Sequence, residues 1–84
     1  MFIVHVVRKH RSPLGNYPSL QAAQQAALAW WAEACREDPE DVKGTWLETY
    51  DHERGVRLWV FIPDFALLQA SRWRLPGCEI RPVA

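Results

Sequence analysis

The residues through which this chain of 84 residues could do chemistry are three histidines, two cysteines and a set of arginines interleaved with tryptophans. A metal centre needs His, Cys, Asp or Glu ligands that converge at close spacing. His5, His10 and His52 show no such spacing, and Asp51-His52-Glu53 reads as an ordinary polar turn. Cys35 and Cys78 are far apart and sit in no zinc or redox motif, so two free thiols in a reducing cytoplasm are expected. No serine occupies a nucleophile elbow, Ser71 has no base beside it, and Asp38, Glu40 and Asp41 flank a helix end where carboxylates are solvated. The glycines are isolated, which excludes a phosphate-cradling loop of known type. The chain therefore reads as a non-enzyme, with no cofactor and no metal.

What remains is the chemistry of recognition. Arg57, Trp59 and Phe61 alternate along one stretch, and Arg72-Trp73-Arg74 repeats the same mixture. Trp, Tyr and Arg dominate interface energetics, so these six residues are assigned to a partner-binding surface. Arg8-Lys9-His10-Arg11 is a basic run that, with Arg72, Trp73, Arg74 and Arg81, could gather phosphates beside a stacking aromatic. Ten basic and ten acidic residues cancel, however, and neither an RNA-binding signature nor a helix-turn-helix pair is present. The acid is gathered as well, in Glu33, Glu37, Asp38, Glu40 and Asp41. The molecule should have poles rather than a net field.

These side chains need elements to position them. Leu20, Ala23, Ala27, Trp30, Trp31 and Ala34 recur at helical spacing, and the stretch Ser19 to Arg36 predicts one amphipathic helix. Ser19 is its N-cap, and Pro39 requires it to end by Glu37 or Asp38. Its outward side carries Ala22, Ala26, Ala29 and Ala32. Phe2 to Val7 is a β-branched run that predicts a covered strand, and Ser12 to Pro18, with two prolines, predicts a loop. Thr45 to Tyr50 and Val56 to Ile62 predict a hairpin turned at Asp51 to Gly55, with Tyr50 opposite Val56. The aliphatic row Val56, Leu58, Val60 and Ile62 is expected under the helix, with Arg57, Trp59 and Phe61 on the other side. A short helix over 65–70 and extended pieces at 72–75 and 78–81 complete the chain.

The fold class expected is α+β, one domain over residues 1–84, with a helix on a three- or four-stranded antiparallel sheet. No apolar run approaches the length of a membrane span, and Met1 to Val7 is too short for a signal segment, so a cytoplasmic protein with no membrane partner is expected. Surplus aromatic surface beside arginines points to a module that binds another protein. An accessory or inhibitory protein of the kind mobile elements encode to modulate host machinery would fit. Two other readings use the same residues: nucleic-acid binding through Arg8, Lys9, His10 and Arg11 with Arg72, Trp73 and Arg74, and a homodimer that covers one sheet face with a second copy.

Overall fold

The computed structural model describes residues 1–8, 10–64 and 77–83. The β-branched run forms β1 (Phe2–Val7), followed by β2 (Arg11–Tyr17), helix α1 (Leu20–Cys35), a 3-10 turn at Pro39–Asp41, and strands β3 (Gly44–Asp51), β4 (Val56–Pro63) and β5 (Gly77–Pro82). The five strands make one sheet in the order β2-β1-β5-β4-β3, and every neighbouring pair is antiparallel. The α+β plan of one helix on an antiparallel sheet holds, with five strands in place of three or four.

The added strand is β2, where the prolines had predicted a loop. It lies at the sheet edge, where a proline costs no ladder hydrogen bond if its nitrogen faces outward. A bulge accommodates the spare residue: Val4 faces Gly15 while His5 faces Pro13, leaving Leu14 between them. The segment 78–81 is the centre of β5, joining β1 to β4. The short helix expected over 65–70 and the extended piece at 72–75 lie outside the described residues.

Helix α1 has the expected bounds. Ser19 Oγ accepts from the amide of Ala22 at 3.1 Å. At the other end Arg36 takes the left-handed conformation, φ 57°, and its amide donates to the carbonyl of Glu33. The amide of Glu37 then donates to Ala32, completing a Schellman motif with arginine in the position glycine usually fills. Ala23, Ala27 and Trp31, four residues apart, are the buried line of the helix, Trp30 is half-buried beside them, and Ala34 is exposed. Ala32, expected outward, is buried at the end of the helix that also contacts the 3-10 turn.

The hairpin shows how one residue of register decides a face. Asp51 pairs with Val56 and Tyr50 with Arg57, one step from the expected alignment. The Asp51 carboxylate accepts from the amides of Glu53 and Arg54, and its carbonyl accepts from Gly55 at 2.7 Å. These bonds hold a four-residue turn with Gly55 at φ 67°. Trp46, Glu48 and Tyr50 therefore share a face with Phe61, Trp59 and Arg57.

That face is the helix side, which corrects the expectation for β4. Trp59 pairs with Ile80 and Phe61 with Cys78, and both partners belong to the core beneath the helix. Val56, Leu58, Val60 and Ile62 point to the opposite face. Volume explains the choice. The inward helix positions are largely alanine, so the bulk that fills the layer must come from the sheet, as Phe61, Ile80 and Val4. Phe61, assigned to a partner surface, is 1% exposed and is a core residue.

Candidate interaction surface

Helix α1 packs chiefly on β1, β2 and β5, so the β3–β4 pair projects as a wing beside it. On the helix side this wing carries Trp46, Glu48, Tyr50, Arg57 and Trp59. The two tryptophans are half-buried and fixed by ring contacts. Trp46 lies 5.0 Å from Phe61, and Trp59 sets its edge against Phe2 at 5.8 Å. Such contacts hold an aromatic ring in place while leaving part of it to solvent.

The polar residues of the wing are less committed. Arg57 Nε is 3.0 Å from Glu48 Oε1, both side chains being more than half exposed, so the pair contributes little to stability and can exchange partners. Tyr50 is 50% exposed with its ring against His52, and Leu47, on the far face, is 47% exposed. The outer edge of β3 pairs with no strand among the described residues. An eight-residue edge whose outward main-chain groups pair with no strand among the described residues is a template for an added strand.

Of the residues assigned from sequence to a partner surface, Arg57 and Trp59 stand on this wing and Phe61 lies beneath it. Arg72, Trp73 and Arg74 fall outside the described residues, as does Lys9. The remainder of the basic run is divided between the two faces. The Arg8 guanidinium stands 5.9 Å over the Trp30 ring. Together with His10, Ser12 and Leu14 these side chains line a concavity of about 460 Å³ between the β1–β2 hairpin and the helix. Arg11 points to the far face, where its Nη2 donates to Glu79 Oε1 at 2.6 Å.

The far face holds a cluster that local sequence did not announce. Glu79 Oε1 accepts from Arg11 and also from Arg81, whose Nε is 3.0 Å away and whose Nη2 donates as well. His5 is directly opposite Glu79 in the β1–β5 register. Burial lowers the His5 pKa, the charge of Arg11 lowers it further, and Glu79 offsets only part of this. Arg11, Glu79, Arg81 and His5 come from three strands, so no spacing within one segment could have flagged them.

Neither cysteine forms a disulfide. The indole N–H of Trp31 donates to Cys78 Sγ at 3.0 Å in the core. Burial pushes the Cys78 thiol from 9.0 up to about 11, although the Trp31 bond acts in the opposite direction. A protonated, enclosed thiol is a packing group rather than a nucleophile. His10 and His52 are exposed and apart from His5. Among the described residues no three His, Cys, Asp or Glu side chains converge as metal ligands, and no helix is long and apolar enough to cross a membrane. Comparison with protein-family models, curated proteins and solved structures returns no match.

Proposed function

We propose that this chain is a small non-enzymatic module that binds another protein through the β3–β4 wing. One observation carries the reading: among the described residues the helix packs chiefly on β1, β2 and β5, leaving Arg57 and Tyr50 exposed beside the half-buried Trp46 and Trp59. Partly exposed aromatics held by their neighbours lose little entropy on binding, and an arginine beside them supplies directional donors. The outer edge of β3, unpaired among the described residues, adds main-chain hydrogen bonds for an extended segment of the partner. Two cysteines without a disulfide fit a reducing, cytoplasmic setting. Action as an accessory or inhibitory protein on a larger assembly, of the kind mobile elements encode against host machinery, accords with a compact chain built around one binding face.

The test is affinity capture from the source cell, with bound material examined for both protein and nucleic acid. Tyr50→Ala combined with Arg57→Glu should remove the partner while far-UV circular dichroism stays unchanged, because both side chains are exposed. Full retention of the partner by that variant overturns the reading. So does recovery of nucleic acid alone, which would favour the surface around Arg8, His10 and Trp30. Recovery of only a second copy of the chain, confirmed by light scattering, would make the wing a homodimer interface.

A further inference from the structure

The far face of the sheet contains a second, chemically distinct feature. Where β1, β5 and the β3–β4 turn meet, a concavity of about 500 Å³ opens, and among the described residues the ionisable side chains lining it are all basic: His5, Arg11, Arg54 and Arg81. Ile3 and Val56 contribute apolar wall beside them. The neutralising carboxylates stand outside this lining. Glu79 is shared by Arg11 and Arg81, and Asp51 is 3.9 Å from Arg54 Nε. Among the described residues three guanidinium charges therefore meet two carboxylates, and one positive charge is left without an ion-pair partner.

Two buried polar atoms at the same place also lack partners. Arg81 is 9% exposed, yet among the described residues its Nη1 finds no hydrogen-bond partner, and His5 Nδ1 likewise finds none. A guanidinium nitrogen removed from water without a partner is costly. Both deficits, charge and hydrogen bonding, are of the kind an oxyanion supplies. Arg54 is 63% exposed on its turn and only loosely held by Asp51, so its fork is free to swing onto a ligand. Arginine forks match the oxygen geometry of phosphate.

We propose that this concavity binds a phosphate monoester. A single carboxylate would cancel the one uncompensated guanidinium and leave His5 idle. A phosphate monoester brings about −1.5 to −2 charges near neutral pH. It cancels the surplus guanidinium and recruits the fourth basic group as an imidazolium, while Ile3 and Val56 receive the organic substituent. The groups facing His5 are Arg11 from β2, Glu79 and Arg81 from β5, and Arg54 from the turn. An anion among them changes the balance in favour of the charged imidazole.

Nuclear magnetic resonance titration of the full chain tests this, using inorganic phosphate, phenyl phosphate and acetate at matched ionic strength. Saturable shifts are expected at residues 3–5, 54–56 and 81–83, tighter for phenyl phosphate than for inorganic phosphate, and the His5 titration midpoint should rise in the bound state. Arg11→Gln with Arg54→Gln should weaken phosphate binding by about tenfold or more, with the far-UV circular dichroism of the free protein unchanged. Failure to saturate, equal binding of acetate, or full phosphate affinity in the double variant would each overturn the proposal.

Discussion

At the scale of single residues, the least comfortable position is Arg36. A side chain in the left-handed region brings its Cβ close to the following carbonyl, at a cost of roughly 1–2 kcal/mol that glycine does not incur. Arg36 accepts this position because the Schellman bonds to Ala32 and Glu33 close the helix there. Its side chain is exposed and makes no ion pair among those described. Arg36→Gly is therefore expected to stabilise the protein by about 1 kcal/mol, read as a raised midpoint in urea at unchanged slope. A lower midpoint would show that the arginine side chain contributes more than its backbone position costs.

At the scale of elements, the wing depends on how closely β3 approaches β4. Gly44 faces Pro63 at the start of β3, and a Cβ there would meet both the Ile62 carbonyl and the Phe61 ring at 2.5 Å. The ring is a fully buried core group and the carbonyl is backbone, so neither can yield cheaply. Gly44→Ala should cost about 1–3 kcal/mol, the range for overpacking, and should broaden amide signals of β3 before those of β1. If the β3 edge binds, loosening β3 should weaken binding even though no contact residue has changed.

At the scale of the whole molecule, two groups among the described residues, Cys78 and His5, limit stability from opposite ends of the pH range. Cys78 keeps its proton in the folded state until about pH 11, whereas the unfolded thiol ionises near 9.0. The unfolded state then binds fewer protons, so stability should fall as pH rises above 9, by at most about 3 kcal/mol. His5 works in the other direction. Its folded pKa lies below the usual 6.5, so the unfolded state takes up protons first, and stability should fall as pH drops below that value. Denaturation midpoints measured across pH should show both limbs. Cys78→Ala should flatten the alkaline limb at the expense of a core cavity, and His5→Gln the acid one; a limb that persists in its variant assigns it to another group.

Much of this architecture is legible in the chain itself. The spacing of Leu20, Ala23, Ala27 and Trp31, the cap at Ser19 and the β-branched run at Phe2–Val7 determine the helix and an inner strand. The physical reason is that hydrogen-bonded turns and alternating faces are local properties. The hairpin is legible too, because Gly55 and the Asp51 carboxylate form its turn within a few residues. Which face of that hairpin turns inward is not. That choice rests on one residue of register and on the demand of an alanine-lined helix for bulk from the sheet, and it places Phe61 rather than the aliphatic row in the core. Likewise Pro13 rules out a central strand but not an edge, and only the order of the sheet makes β2 an edge. The far-face cluster is decided entirely by tertiary structure. His5, Arg11, Glu79 and Arg81 share a face only after β1 has been paired on both sides, and pairing of segments so distant is selected by the energy of the whole core rather than by any residue within them.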